Sequence, residues 1–128
     1  MTFTFYDNYP SFDISQVFCA RIDPEIRSSI ELLKSLYYLL WFPGYFGFNW
    51  NALNDCLCDF SWVVNKKIIL IHEEIPELLD EEKVIYLDIL NQAILSWKED
   101  NSHDFEVYFK QKDKQRIEEL LAFAKIKN

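Results

Sequence analysis

Two carboxylates, Asp55 and Asp59, are the residues in this chain whose type and spacing most directly suggest chemistry. At helical spacing they would lie one turn apart, and two neighbouring carboxylates can share general acid and general base work. No histidine or metal-ligand cluster accompanies them in the sequence, so the pattern is a poor match to an enzyme site. A hydrolase therefore stays one interpretation, beside a solvated helix face and a protein-binding surface.

The other residues with reactive side chains give weaker indications. His72 precedes Glu73 at the end of an apolar run, where a structural role is favoured over a catalytic histidine–glutamate pair. The three cysteines, Cys19, Cys56 and Cys58, form neither a C-x-x-C motif nor a metal-ligand set with histidines. They are interpreted as buried, reduced thiols, and the sequence predicts no metal site and no cofactor.

The two carboxylates need a helix to position them, and Asn49 is a favourable N-cap for one that runs to about Trp62. On a helical wheel, one arc is apolar and predicts the core face: Trp50, Leu53, Cys56, Leu57 and Phe60. The opposite arc is polar apart from one aromatic residue: Asn51, Asn54, Asp55, Cys58, Asp59 and Trp62. Trp62 is open to two interpretations, a side chain folded back onto its own domain or an interface anchor.

A loop rich in aromatic residues precedes this helix and contains both glycines of the chain, Gly44 and Gly47. Pro43 and Gly44 are expected to end the helix before the loop. Gly47 lies between two phenylalanines and predicts either a positive φ angle or a close approach of the main chain. The aromatic side chains of this loop cannot all enter one small core, so Tyr45 is expected at the surface, where it suits a binding site.

The pattern of the remaining chain predicts an α/β protein. Strands are indicated by apolar or alternating runs at 16–22, 67–72 and 105–110. Helices are indicated at 28–40, with Ser28 as the expected N-cap, and at 50–62, 80–98 and 113–125. Strands separated by helices favour right-handed crossovers, so we expect a small three-stranded parallel sheet packed with helices. Residues 1–15 are harder to interpret, and Phe3 and Phe5 leave a further short strand open.

Length and charge narrow the class of protein. A chain of 128 residues is expected to form one domain over 1–128. The formal net charge of −8 disfavours direct nucleic-acid binding, which requires a basic surface, and is compatible with a basic protein partner. No apolar run is long enough to span a membrane, and the N-terminal residues lack the features of a secretory signal. The predicted location is the cytoplasm, without membrane attachment.

The run from Pro43 to Leu57 resembles the signature P-x-Y-[YF]-G-x-N-x-[DN]-A-L-x-D-C-L of barstar-type ribonuclease inhibitors. The matching residues are Pro43, Tyr45, Phe46, Gly47, Asn49, Asn51, Ala52, Leu53, Asp55, Cys56 and Leu57. The resemblance covers about 16–110. Residues 1–15 and the helix at about 113–125 are therefore interpreted as N-terminal and C-terminal extensions of a barstar-like core.

The resemblance implies a stoichiometric inhibitor with no cofactor, rather than an enzyme. In the family, the helix and the loop before it enter the basic active site of a nuclease, where carboxylates take the place of substrate phosphates. Asp55 matches the central phosphate-mimicking aspartate, and Tyr45 matches the loop tyrosine. The implied partner is a cognate bacterial toxin domain, a ribonuclease with a basic cleft, bound in a one-to-one complex. The predicted toxin-binding residues are Tyr45, Asn51, Asn54, Asp55, Asp59 and Trp62.

Three positions depart from the family pattern. Asn51 replaces a second aspartate, Asn54 replaces a tryptophan, and Gln92 aligns with a late-helix glutamate. The surface therefore carries fewer charges, of which Asp59 would restore one. These departures point to alternative partners: a toxin that is not a ribonuclease, or another protein bound by a regulatory module that kept the fold.

Overall fold

A computed structural model of the chain describes residues 2–13 and 15–127. Within these residues the strands are β1 (Thr4–Tyr6), β2 (Val17–Ile22), β3 (Lys67–His72) and β4 (Asp104–Lys110). The α-helices are α1 (Ser29–Leu39), α2 (Trp50–Leu57), α3 (Asp80–Asp100) and α4 (Lys114–Lys127). A short 3₁₀ turn, Gln111–Asp113, leads directly into α4.

The four strands form one parallel sheet in the order β1–β4–β3–β2. The predicted parallel α/β class is confirmed, but the expectation of three strands is wrong, because the N-terminal extension supplies a fourth strand at the sheet edge. A strand of three residues shows too little alternation to stand out in the sequence. Long-range contacts hold it in place: Phe5 pairs with Phe109 in register, and the Phe3 and Phe109 ring centroids lie 5.1 Å apart.

β3 lies between β4 and β2 and is buried on both faces, as its continuous apolar run predicts. Ile68 and Leu70 point into the main core beneath the helices. Ile69 and Ile71 point to the other face, where they form a smaller cluster with Tyr6 of β1. The N-terminal extension therefore covers a face of the sheet that would otherwise meet water.

The long helix α3 connects the sheet to the helix that carries the candidate site. It packs against α2, α4 and β4. The indole Nε1 of Trp97, near the end of α3, donates a hydrogen bond of 2.7 Å to the carbonyl oxygen of Leu57, the last residue of α2. This bond is buried and satisfies a carbonyl that the helix end leaves unpaired.

Local hydrogen bonds define both ends of α1. The Ser28 hydroxyl accepts a bond from the Glu31 amide at 3.2 Å, so the predicted N-cap is confirmed. At the other end Trp41 adopts the left-handed conformation, with φ of 58°. The Phe42 amide then donates to the Tyr37 carbonyl at 3.0 Å, which is the pattern of a Schellman motif.

α2 begins as predicted but ends earlier. The Asn49 side chain accepts a hydrogen bond of 2.8 Å from the Ala52 amide, which confirms it as the N-cap. The helix ends at Leu57 rather than near Trp62. Phe60 causes the change of direction: it has φ of 45° and its amide bonds back to the Cys56 carbonyl, so that its ring enters the core.

Candidate functional site

α2 presents a polar face to solvent and is fixed from below by apolar side chains. Asn51, Asn54 and Asp55 are exposed on this face, whereas Leu53 and Leu57 are completely buried beneath it. The spacing of the apolar residues therefore positions the exposed ones, as the helical wheel predicts. Among the residues that the structure describes, no cation forms an ion pair with Asp55. Its carboxylate is free to accept hydrogen bonds from a partner.

Asp59 reaches the same region from the turn after α2, not from the helix itself, so the predicted helical pairing with Asp55 is wrong. Its exposed carboxylate accepts a hydrogen bond of 3.4 Å from the hydroxyl of Tyr45. Desolvation raises the pKa of the Tyr45 hydroxyl, and the negative charge of Asp59 raises it further. The phenol therefore stays protonated near neutral pH, and the loop and the turn are joined at one polar contact.

Trp62 occupies the first of its two predicted positions, folded back onto its own domain. Its indole nitrogen donates a hydrogen bond of 2.9 Å to the carbonyl of Leu40. Its ring lies 5.9 Å from that of Phe42 and 5.7 Å from that of Phe60. The side chain is partly buried, so the geometry favours a role in fixing the loop over the predicted role as an exposed anchor.

The loop between α1 and α2 is held by aromatic stacking and by one tight backbone approach. The rings of Phe46 and Phe48 both pack against Tyr37, with centroids 6.0 and 5.1 Å away. Neither glycine has a positive φ; Phe48 takes that conformation instead, with φ of 52°. A Cβ on Gly47 would lie 3.2 Å from the Asn49 side-chain nitrogen, so the second alternative, a close approach, explains this glycine.

The surroundings of the two carboxylates bear on the hydrolase interpretation. Both are exposed, and cavities of about 730 and 840 Å³ lie between α3 and α4 without either Asp55 or Asp59 in their walls. Within the described part of the chain, no group of histidine, cysteine, aspartate and glutamate side chains is arranged to hold a metal ion. The arrangement offers exposed acceptors to a binding partner rather than an enclosed site for a substrate.

His72 has a structural role, as the sequence suggests. It is fully buried, and its ring stacks on Phe109 at a centroid distance of 4.1 Å. Its Nδ1 lies 3.1 Å from the Tyr108 carbonyl and its Nε2 lies 2.7 Å from the Tyr86 hydroxyl. Burial lowers the pKa of His72 to about 3, so the ring is neutral, donating from Nδ1 and accepting at Nε2.

The cysteines only partly match the prediction of buried thiols. Cys56 is buried, and burial raises the pKa of its thiol to about 11. Cys58 is partly buried, and Cys19 is exposed on β2, which contradicts the prediction for that residue. All three are free thiols.

The sequence did not indicate two highly exposed aromatic residues at and just after the end of α1, Tyr38 and Trp41. The exposure of Tyr38 could have been predicted, because this residue lies outside the apolar stripe that α1 presents to the core. Trp41 gave no such signal, because it follows the last helical residues and its exposure depends on the left-handed turn at the helix end. Gln92 is exposed on α3.

The fold and the site together define a small parallel α/β protein that presents an exposed acidic helix and loop. No described helix has the length and apolar character required to cross a membrane. The model of the barstar family, described as barnase inhibitor, matches residues 17–110. The chain therefore belongs to the barstar family, and the resemblance carried by the run from Pro43 to Leu57 is confirmed. The match begins at the first residue of β2 and ends at the last residue of β4, so β1 and α4 lie outside it. A search of curated proteins found no match to the chain.

Proposed function

We propose that the chain is an immunity protein that binds a cognate bacterial toxin, a ribonuclease, and occludes its active site. The carboxylate of Asp55, which is exposed on α2 and forms no ion pair with a described residue, carries this proposal. In a ribonuclease, arginine and lysine side chains hold the phosphates of the substrate. A carboxylate can occupy the same place and accept the same charge-assisted hydrogen bonds. Membership of a family described as barnase inhibitor supports this partner.

The contact surface that we propose consists of Tyr45, Asn51, Asn54, Asp55 and Asp59, here called the acidic surface. Asp55 and Asp59 supply the negative charge, and the two asparagines supply neutral donors and acceptors beside it. Tyr45 is 72% exposed, and its hydroxyl already bonds to Asp59, so both side chains meet a partner in a defined geometry. Less ordering is then needed on binding, which favours affinity.

The protein acts as a stoichiometric inhibitor in the cytoplasm of the cell that makes the toxin, in a one-to-one complex without a cofactor. The net charge of −8 favours encounter with a basic cleft and disfavours competition from RNA. The mechanism is occlusion: α2 and the loop before it fill the cleft and exclude the substrate.

The direct test uses the toxin domain encoded by the adjacent reading frame, purified and assayed for RNA cleavage with and without the chain. The unmodified chain is expected to inhibit cleavage at one-to-one stoichiometry. Asp55→Arg is expected to weaken binding by about 3–5 kcal/mol, more than a hundredfold in Kd, because the cations of the cleft would lose their counter-charge. Glu118→Arg, on the exposed part of α4, makes the same change of charge and is the matched control. Equal binding by the Asp55→Arg variant and the unmodified chain contradicts the proposed surface.

A second candidate is a partner other than a ribonuclease, and the asparagine at position 51 favours it. A neutral side chain where the family pattern has a carboxylate suits a cleft with fewer cations. The same assay separates the candidates when the purified toxin is tested for cleavage of RNA and of DNA. Its binding to the chain is measured separately, without nucleic acid. A complex that forms with a toxin unable to cleave RNA would support this second candidate.

A further inference from the structure

The most exposed aromatic side chains of the described residues are concentrated in one short segment. Tyr38 and Trp41 are each 74% exposed, and Tyr45 is 72% exposed. The acidic surface includes Tyr45 but neither of the other two. Aromatic side chains bury large areas when they enter an interface, and exposing them without a partner forgoes that stabilisation.

The backbone conformation at position 41 does not favour a tryptophan. Trp41 follows the last residues of α1 with φ of 58°, the left-handed conformation that glycine adopts most easily at a helix end. The hydrogen bond from the Phe42 amide to the Tyr37 carbonyl depends on this turn of the backbone and not on the indole ring. Position 41 therefore carries a bulky side chain although its backbone conformation favours glycine. The ring of Trp41 also gains little burial there.

Two contacts connect this segment to the acidic surface. Trp62 bonds to the carbonyl of Leu40, the residue before Trp41, and its ring packs on Phe42, the residue after it. Tyr45, four residues after Trp41, bonds to Asp59, three residues before Trp62. The segment around Trp41 is therefore linked to the turn that carries Asp59, through the contacts of Trp62 and Tyr45.

We propose that Trp41 and Tyr38 extend the acidic surface and bind an arginine or lysine side chain at the rim of the partner's basic cleft. This inference rests on the proposed function, since it assumes the same partner. A partner that complements Asp55 and Asp59 carries cations around its cleft, and a cation binds favourably over the face of an exposed indole or phenol ring. Tryptophan, tyrosine and arginine are also the residues that most often carry the energy of an interface.

The test compares Trp41→Gly with the unmodified chain, using the purified toxin domain encoded by the adjacent reading frame as the probe. Trp41→Gly is expected to raise Kd at least tenfold while the Tm of the free chain stays equal or rises, because glycine suits the left-handed turn. Phe123→Ala removes another exposed aromatic ring, on α4, and is expected to leave Kd unchanged. Trp41 is also expected to be protected from oxidation only when the toxin domain is present.

Each other outcome overturns the inference in a distinguishable way. If Asp55→Arg abolishes binding and Trp41→Gly leaves Kd within twofold, the aromatic extension fails and the proposed function stands. A fall in the Tm of the Trp41→Gly variant would show that the ring is structural. Protection of Trp41 in the free chain together with dimer formation in solution would show that a second copy covers it. If the unmodified chain does not bind the toxin domain, both proposals fail.

Discussion

At the scale of single residues, His72 couples the stability of the protein to pH. Its pKa is about 3 in the fold and about 6.5 in an unfolded chain. Between these values the unfolded chain binds a proton that the folded protein excludes. The stabilisation is therefore complete above about pH 6.5 and is lost as pH falls through that window.

We expect the free energy of unfolding to decrease between pH 7 and pH 4.5, with His72 contributing a slope of up to about 1.4 kcal/mol per pH unit. His72→Gln should flatten this decrease, because a glutamine amide can donate to the Tyr108 carbonyl and accept from the Tyr86 hydroxyl without titrating. Urea denaturation at a series of pH values measures both slopes. Parallel curves for the two proteins would assign the acid sensitivity to other groups.

The two glycines provide a matched pair of substitutions in the loop. Gly47→Ala would place a methyl group 3.2 Å from the Asn49 side-chain nitrogen, so Asn49 must move and its cap on α2 weakens. We expect a loss of about 1 kcal/mol in the free energy of unfolding, the usual value of an N-cap. Gly44→Ala meets no atom within 4 Å at a φ that is not positive, and should be neutral or stabilising by about 0.5 kcal/mol. Chemical denaturation of both variants tests this, and equal effects would refute it.

Residue chemistry was predictable where it depends on neighbours in the sequence. Ser28 and Asn49 were predicted as N-caps from short local stretches of sequence, and both are confirmed. The contact between Tyr45 and Asp59 was not predictable, because the periodicity placed Asp59 on α2, whereas it lies in the turn after the helix. The left-handed conformation of Phe60 was not predictable either, because a phenylalanine gives no signal for it.

At the scale of elements, the sequence located helices and the central strand better than it located their ends, because the ends depend on tertiary packing. The apolar spacing of α2 continues to Phe60, so periodicity alone predicts a longer helix than the one observed. β1 was left open rather than predicted, because three residues carry almost no pattern and its partners on β4 are distant in the sequence. The polar face of α2 followed from the wheel, whereas the position of Trp62 did not.

β1 is expected to contribute substantially to stability although it lies outside the range matched by the family model. Phe3 is 8% exposed and packs on Phe109, so Phe3→Ala should lower the free energy of unfolding by about 3 kcal/mol. Thr4→Ala, at the exposed first residue of β1 next to Phe3, should cost less than about 1 kcal/mol. Thermal or urea denaturation distinguishes the two. A small effect of Phe3→Ala would mean that the strand is dispensable.

At the scale of the whole molecule, the net charge of −8 affects how fast the protein meets a basic partner. We expect the association rate constant with the toxin domain to fall by about tenfold or more between about 50 mM and 500 mM NaCl, because salt screens long-range attraction. The dissociation rate constant should change much less, since close contacts are less screened. Stopped-flow mixing measures the first constant. An association rate constant that does not depend on salt would exclude electrostatic steering.

The pairing of β1 with β4 has a consequence for biosynthesis. β1 and β4 are the first and the last of the described strands in chain order, so the two can pair only after translation has passed β4. Until then Phe3 lacks Phe109, whose ring it contacts in the finished protein. Once β4 has been made, its edge stays uncovered until β1 docks, and an uncovered edge strand can pair with another chain. Completion of this sheet therefore requires β1 to wait for β4.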